Sequence, residues 1–295
     1  MPKEVLICGF SDTSVIAKRV AKLTGSLYSA IKCSPFPDGE SLVRIVNNPK
    51  GRKVVIISSM FPNSNKKIIE TLLAGSAARD YGAKEVILLA TYMPYLRQDK
   101  SFNSYEAVSA REVVKLLTNA YDRVITIDPH LHRVNSLREY SGKAGEISSV
   151  PAIADYIKDK VRGSYVIVGP DEESSQWSRA VARKLRKEVH VLIKNRESSY
   201  NVKVSSGNFK LHDNVILIDD IISTGHTITE ALKLLKKKGA KKITCIGIHG
   251  ILAGDADKRI RKYAELITTN TIQSKYSKID VSLIIADAVR NNQHR

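Results

Sequence analysis

Cysteine is scarce in this chain, which contains only Cys8, Cys33 and Cys245. An odd number excludes a fully paired disulfide framework, and the three do not have the spacing of metal ligands. Cys8 and Cys245 lie inside apolar strand patterns. We therefore expect a reduced, intracellular protein.

Long apolar runs are also missing, since the longest strand-like runs are shorter than ten residues. A helix needs roughly 20 consecutive apolar residues to span a bilayer. The N-terminus, MPKEVLICGF, leads almost directly into a strand pattern and shows no signal peptide. These absences predict a cytoplasmic protein with no membrane partner.

Aromatic residues make up only 6% of the chain, although its formal net charge is +17. Proteins that bind single-stranded nucleic acid stack bases on aromatic side chains placed among their cations, and this chain does not interleave the two. The densest basic run, Lys233–Lys242, includes a helix end before Gly239, where lysines complement the helix dipole without a ligand. The charge therefore suits nucleotide-like partners, and we expect no nucleic-acid partner.

What the chain does contain is a regular alternation of strand and helix patterns. Strands are predicted at Val5–Cys8, Val54–Ser58, Val86–Ala90, Val124–Ile127, Tyr165–Val168, Val189–Ile193, Val215–Ile218 and Ile243–Ile248. Helices are predicted at Thr13–Leu23 with Asp12 as its cap, and near residues 66–81, 109–117, 174–186 and 227–238. The alternation predicts parallel sheets covered by helices.

Two polar segments interrupt this alternation. Glu139–Ser149 is rich in Gly and Ser and is the best internal boundary, which divides the chain into two similar α/β halves. Asn195–Asn208 has few large apolar residues and is predicted to be a mobile loop or a loose hairpin.

Polar clusters follow five of the predicted strands, and the most informative is residues 215–228, VILIDDIISTGHTI. Asp219 and Asp220 follow its strand, and the turn Ser223-Thr224-Gly225-His226-Thr227 leads into a helix. Ligands of open parallel sheets bind beyond the carboxyl ends of strands, so the clusters predict one composite site. Backbone N–H groups at a helix N-terminus bind phosphate, and paired carboxylates accept hydrogen bonds from hydroxyls or hold Mg²⁺. Such turns also serve simply as helix caps.

Taken together, five motifs resemble the ribose-phosphate diphosphokinase family, in its archaeal-like branch. They are Phe36-Pro37-Asp38-Gly39-Glu40, Tyr95–Lys100, Val124–His130, Val168–Asp171 and residues 215–228. The resemblance implies two tandem type I phosphoribosyltransferase-like domains, residues 1–145 and 146–284, with residues 285–295 packed on the first. It also implies transfer of the β,γ-diphosphoryl group of ATP to the C1 hydroxyl of ribose 5-phosphate, with Mg²⁺ as cofactor, in a homo-oligomer that is at least a dimer.

The resemblance also assigns roles to individual residues. ATP would be bound by Phe36, Asp38, Glu40, Arg97, Gln98, Asp99 and His130, the first three reaching the adenine of a neighbouring subunit. Mg²⁺ would be held by His130 and Asp171, although His132 is an alternative to His130. The catalytic cations would be Lys194 and Arg196. Ribose 5-phosphate would be bound by Arg196, Asp219, Asp220, Ser223, Thr224, Gly225, His226 and Thr227.

Two departures from the family pattern stand out. The basic run common after the Arg-Gln-Asp motif is replaced by SFNSYEAVS, which puts regulation by nucleoside diphosphates and the usual hexamer in question. Within the sugar-phosphate loop, Ser223 stands where an acidic residue is frequent and His226 where a small one is common. Three other functions remain open, namely a phosphoribosyltransferase that consumes the activated sugar, a non-catalytic regulatory relative and a basic nucleic-acid-binding protein.

Overall fold

The computed structural model describes residues 4–131, 133–196, 202–205 and 213–291, with the side chains of 193–196 and 202–205 outside the description. The chain divides into two compact units. Unit 1 consists of the chain up to Ser148 and the chain from Val281 onward, and unit 2 comprises Ser149–Asp280. The division implied by the family resemblance lies between residues 145 and 146.

Unit 1 is built on one seven-stranded sheet. Its strands are β1 (Val5–Gly9), β2 (Leu27–Pro35), β3 (Ser41–Ile45), β4 (Lys53–Ser59), β5 (Glu85–Tyr92), β6 (Arg123–Ile127) and β7 (Ala144–Ile147). They lie in the order β3-β2-β1-β4-β5-β6-β7. Only β3 runs antiparallel, pairing with β2, and all other neighbours are parallel.

Helices cover both faces of this sheet and bury one apolar cluster each. Helices α2 (Ser64–Asp80) and α3 (Ser109–Ala120) pack on one face, and α1 (Ser14–Thr24) and the C-terminal α8 (Ser282–Asn291) pack on the other. In α8 the buried residues Ile285, Ala286 and Val289 belong to the same cluster as β1. Helix α1 ends at Gly25, whose φ of 68° is the left-handed conformation that glycine adopts without strain.

Unit 2 repeats this plan with a six-stranded parallel sheet. Its strands are β8 (Val166–Gly169), β9 (Val189–Val191), β12 (Asn214–Ile222), β13 (Lys242–Gly250), β14 (Glu265–Thr269) and β15 (Ser277–Ile279), with a separate antiparallel hairpin of β10 (Ile193–Arg196) and β11 (Val202–Ser205). The order in the sheet is β15-β14-β13-β12-β8-β9. Helices α6 (His226–Lys237) and α7 (Ala256–Arg261) cover one face, and α4 (Val150–Lys160) and α5 (Ser175–Leu185) cover the other.

The predicted fold class is confirmed, because each unit is a mostly parallel sheet flanked by helices. Among the described residues, no helix is both long enough and apolar enough to cross a membrane. The predicted segment Asn195–Asn208 contributes strands of the hairpin β10–β11, and the residues between these strands lie outside the described part of the chain.

The boundary segment Glu139–Ser149 is more structured than its composition indicates. The two units divide at its end, between Ser148 and Ser149. The segment also contains β7, which pairs in parallel with β6 and completes the sheet of unit 1. The segment therefore contains the boundary between the units and also supplies an edge strand of unit 1.

Two local predictions were wrong. The predicted strand Val189–Ile193 is broken at Leu192 between β9 and β10. The side chain of Asp12 does not cap α1. Its carboxylate lies 3.2 Å from the ammonium of Lys67, and this ion pair competes with a capping hydrogen bond.

Candidate active site

The sugar-phosphate motif forms the end of a central strand and the start of a helix in unit 2. Strand β12 runs as far as Ile222, the turn spans residues 223–225, and α6 begins at His226. Gly225 has a φ of 72°, and a Cβ at this position would lie 3.3 Å from Cβ of Ala256 and from Cδ1 of Ile260. The conformation and the close packing beneath it both favour glycine. The turn therefore presents backbone N–H groups at a helix N-terminus, which is the arrangement that binds phosphate.

Three buried carboxylates lie along two paired strands. One follows the end of β8, and two lie within the last part of β12. Asp171, Asp219 and Asp220 have exposures of 8%, 9% and 2%. Burial, followed by the charges of Asp220 and Asp171, holds the pKa of Asp219 well above its usual range, while a hydrogen bond from Ser174 acts in the opposite direction. The backbone N–H and the hydroxyl of Ser174 also donate to Oδ1 of Asp171, at 3.0 and 3.1 Å. Three buried carboxyl groups this close together favour a cation or hydroxyl donors.

Helix α7 contacts the turn and helps to hold it in place. The sequence did not predict this helix. Nη2 of Arg259 donates to the backbone carbonyl of Thr224 at 2.5 Å. The backbone N–H groups of Leu252 and Ala253 donate to the carbonyls of Ile222 and Ser223, at 2.9 and 3.0 Å. Arg259 thus anchors the turn and adds positive charge beside it. Its position after β13 in the sequence carries no signal of this contact.

In unit 1, the segment after β5 places Arg97, Gln98 and Asp99 differently. Arg97 is exposed, and the half-buried Gln98 accepts a 3.0 Å hydrogen bond on Oε1 from the hydroxyl of Ser109. The side chain of Asp99 is only 1% exposed and receives a 2.5 Å bond from Nη1 of Arg133. The arginine of this segment is therefore available to a ligand, whereas the aspartate connects it to the segment after β6.

That second segment carries His130. Asp128 is buried with a φ of 37°, its N–H donates to the carbonyl of Ile147, and its Oδ1 accepts from the hydroxyl of Ser148 at 3.0 Å. These bonds fix the chain direction just before His130, which is half-buried. The alternative ligand, His132, lies outside the described residues.

The Phe-Pro-Asp-Gly-Glu motif is the tip of the β2–β3 hairpin. The Phe36 N–H donates to the Glu40 carbonyl at 2.7 Å, and the Glu40 N–H donates to Oδ1 of Asp38 at 3.1 Å. Phe36 is 46% exposed, and Asp38 and Glu40 are also exposed. An aromatic ring and two carboxylates therefore project into solvent from an ordered turn.

The structure brings together the predicted residues of unit 2 that follow β8 and those of β12, and separately the residues of unit 1 that follow β5 and β6. Lys194 and Arg196 lie in β10, and their side chains are outside the described part of the structure. Among the described residues, no group of three or more His, Cys, Asp and Glu side chains is arranged to hold a metal ion.

The fold and the site define a protein with two phosphoribosyltransferase-like units. Residues 5–120 match the family model of the N-terminal domain of ribose phosphate pyrophosphokinase, and residues 144–283 match that of the phosphoribosyl transferase domain. The ribose-phosphate pyrophosphokinase of Pyrococcus furiosus is 35% identical over 85% of this chain and 89% of that protein. The enzyme of Methanopyrus kandleri is 30% identical over 97% and 99%.

A solved structure agrees over nearly the whole length. The crystal structure of phosphoribosylpyrophosphate synthetase from Mycobacterium smegmatis has a TM-score of 0.85 and 25% identity, covering 98% of this chain and 99% of that one. The chain belongs to the ribose-phosphate pyrophosphokinase family.

Proposed function

We propose that this chain transfers the β,γ-diphosphoryl group of ATP to the C1 hydroxyl of ribose 5-phosphate, giving 5-phosphoribosyl 1-diphosphate and AMP. The C1 oxygen bonds to the β-phosphorus, the bond between that phosphorus and the α,β-bridging oxygen breaks, AMP leaves with the bridging oxygen, and the hydroxyl proton is released to solvent. The observation that carries this proposal is the buried pair Asp219–Asp220, followed closely by the phosphate-binding turn at the start of α6. One end of that arrangement suits vicinal hydroxyls and the other a phosphomonoester.

Ribose 5-phosphate binds in this proposal with its phosphate on the turn of residues 223–227 and its hydroxyls at Asp219 and Asp220. The exposed side chain of Thr224 and the half-buried side chains of Ser223 and Thr227 supply hydroxyl donors. His226 is exposed at the first position of α6 and adds a fourth polar group. The supporting contacts of α7 and of the segment after β13 hold the turn in place before the ligand arrives, which reduces the ordering cost of binding.

In this proposal ATP binds to Arg97, Gln98 and His130. Asp99 contributes to the same site through its bond to Arg133, which holds the two segments together. The guanidinium of Arg97 suits bidentate phosphate recognition.

The hairpin tip contributes to the ATP site of a different chain. In this proposal Phe36, Asp38 and Glu40 contact the adenosine of a neighbouring chain in a homo-oligomer. The exposure of Phe36 supports this, since an ordered turn that projects an aromatic ring is suited to a contact outside its own chain.

The buried carboxylates fit a divalent cation. Mg²⁺ usually takes one or two carboxylates, together with water and substrate phosphates, rather than a complete cage of protein ligands. Asp219 and Asp220, with the ribose hydroxyls, would hold it, and Asp171 of the same unit is a further ligand in this proposal. When bound, the ion neutralises charge on the transferring diphosphoryl group.

The hairpin β10–β11 carries the two residues that the family resemblance assigns to catalysis. Lys194 and Arg196 lie in β10, the strand that follows β9 along the chain. In this proposal their cations stabilise charge on the transferring group.

The test is release of AMP from ATP by the purified protein with Mg²⁺. We expect AMP to form only when ribose 5-phosphate is present, and the variant Asp220→Asn to lose this activity. The exposed Asp213→Asn, which lies before β12 and outside the carboxylate cluster, is the matched control and should retain it. AMP release without ribose 5-phosphate, or its absence in the wild-type protein, would contradict the proposal. Consumption of the activated sugar with a nucleobase would instead identify a phosphoribosyltransferase.

A further inference from the structure

Three buried polar side chains meet where β13 and β14 end in unit 2, and we call them the buried network. His249 is 2% exposed, and Thr269 and Thr271 are fully buried. Oγ1 of Thr271 lies 2.9 Å from Nδ1 of His249 and 2.9 Å from Oγ1 of Thr269. Buried polar groups are costly unless they are hydrogen-bonded, so a connected network of this kind specifies one local arrangement.

The buried network fixes the end of β13 at the point where its backbone ladder to β14 has stopped. The last pair of that ladder is Gly247 with Thr268, and Ile248 lies one residue beyond it. The carbonyl of Ile248 instead accepts hydrogen bonds from the hydroxyls of Thr269 and Thr271, at 2.7 and 3.0 Å. Side-chain hydroxyls therefore continue the connection between the two strands after the ladder ends.

The imidazole of His249 decides how these hydroxyls are oriented. Each threonine hydroxyl carries a single hydrogen. When both threonines donate to the Ile248 carbonyl, Nδ1–H of His249 donates to the Thr271 oxygen, and when Thr271 donates to Nδ1 instead, the ring is the acceptor. In either arrangement, removing the ring takes a hydrogen-bond partner from a buried hydroxyl, which is more costly than losing the same bond at the surface.

The chain that leaves the buried network contacts the turn before α6. The N–H groups of Leu252 and Ala253 donate to the carbonyls of Ile222 and Ser223, at 2.9 and 3.0 Å. Only two residues separate His249 from Leu252. Leu252 has a φ of 51°, a left-handed conformation that residues other than glycine keep only where the surrounding contacts hold them. The position of these two donors therefore depends on how firmly the end of β13 is fixed.

We propose that His249 is a positioning residue for the turn before α6. It fixes the end of β13, so that Leu252 and Ala253 stay in place as donors to the turn and the turn keeps its own N–H groups directed at the phosphate of ribose 5-phosphate. This role rests on the proposed function for the identity of the ligand, whereas the contacts between His249 and the turn all lie within unit 2.

A positioning role predicts an effect on one substrate only. A hydrogen bond between neutral groups contributes a factor of roughly two to ten to an equilibrium constant. Loss of the His249 ring should therefore raise the KM for ribose 5-phosphate by a factor in that range. The KM for ATP should stay constant, because the residues assigned to ATP belong to unit 1. The kcat should also change little, because His249 is placed away from the reacting atoms.

Four variants of the full-length protein test this role. His249→Leu removes both ring nitrogens, and Thr271→Val removes the same hydrogen bond from the other side while keeping the side-chain shape. His249→Asn places an amide near the position of Nδ1 and should restore most of the affinity, since an amide can donate or accept. Ile243→Ala is the matched control, because Ile243 is buried at the opposite end of β13 and its truncation destabilises the sheet by leaving a cavity.

The measurements are the KM for each substrate in AMP release, and hydrogen exchange of the Leu252 and Ala253 amides without ligand. We expect both amides to exchange faster in His249→Leu and Thr271→Val, because local opening of this segment becomes easier. Their rates in His249→Asn should stay close to the wild-type rates. Ile243→Ala should lower the melting temperature and leave the KM for ribose 5-phosphate unchanged.

The two measurements separate this role from the proposed function. Unchanged exchange and an unchanged KM for ribose 5-phosphate in Thr271→Val, or an equal rise of that KM in Ile243→Ala, would overturn the positioning role and leave the proposed function intact. If the wild-type protein releases no AMP, the proposed function fails, while faster exchange in Thr271→Val would still support the hold of the buried network on the turn.

Discussion

The contact between Asp99 and Arg133 should contribute to the stability of unit 1. It joins the segment that carries Arg97 to the segment that carries His130, through one 2.5 Å bond. The Asp99 side chain is 1% exposed, and its Oδ2 has no hydrogen-bond partner among the described residues. The nearby Tyr140 hydroxyl is equally unsatisfied, and burial and then the Asp99 charge raise its pKa. Asp99 therefore depends on Arg133 for most of its compensation.

Removing the Arg133 guanidinium should lower the free energy of unfolding by an amount that depends on how exposed the two side chains are. A hydrogen bond to a charged group contributes about 1.5–3 kcal/mol, and breaking a fully buried pair costs about 3–5 kcal/mol. Because the Arg133 side chain is 46% exposed, water screens the pair. We expect Arg133→Ala to lower the free energy of unfolding by about 1–2 kcal/mol, a factor of roughly 5–30 in the equilibrium constant.

The assay is a double-mutant cycle of Arg133→Ala and Asp99→Asn, followed by urea denaturation and by the KM for ATP. The double variant should recover part of the loss, because no buried charge is then left unpaired. Arg138→Ala is the matched control of this cycle, because Arg138 is exposed in the same segment and has no ion pair with a described residue.

Arg138→Ala shows how large a change results when an exposed arginine without an ion pair to a described residue is removed. Arg138→Ala should change the free energy of unfolding by no more than about 0.5 kcal/mol, and it should leave the KM for ATP unchanged. Arg133→Ala should raise that KM, because the segments of Arg97 and His130 lose their connection. If Arg133→Ala unfolds like Arg138→Ala, or if the cycle shows no coupling, Asp99 does not depend on this contact.

Four other changes test the site directly. Asp219 keeps a proton in the folded state that the unfolded chain releases near its ordinary pKa of about 3.9, so stability falls as pH rises above that value towards the raised pKa. Asp219→Asn should therefore stabilise the metal-free protein at neutral pH and lose this advantage below about pH 4 in thermal melts. Gly225→Ala should cost about 1–2 kcal/mol through its left-handed backbone and raise the KM for ribose 5-phosphate; an unchanged KM would count against the turn as the phosphate site. Arg259→Met should raise the same KM while the KM for ATP stays constant, and equal changes in both would argue for a general structural role. Lys194→Ala should lower kcat by orders of magnitude with little change in ATP binding, and near-normal turnover would remove it from the mechanism.

The sugar-phosphate turn was predictable because its signals are local. Four apolar residues specify a buried strand, and small polar residues followed by an amphipathic helical pattern specify the turn and α6. Gly225 adopts the left-handed conformation that its residue type permits. The parallel arrangement followed equally from the alternation of strands and helices along the chain.

The β2–β3 hairpin and β7 were not predictable from the same signals. Strand β2 mixes polar and apolar residues, and it is specified by pairing with β1 along one part and with β3 along the other. Strand β7 has only four residues, two of which are Gly145 and Glu146, and exists because β6 offers an edge to pair with. Such pairing depends on distant residues, so a short window of sequence carries little information about it.

By itself the sequence determined the fold class, the family and the residues that gather at each strand end, because periodicity, turn chemistry and motif order are properties of the linear chain. Only the tertiary structure decided how those residues are used. It buried Asp99 against Arg133 and placed Arg259 under the turn. Burial and charge compensation arise from contacts between residues far apart in the chain, and these exist only after folding.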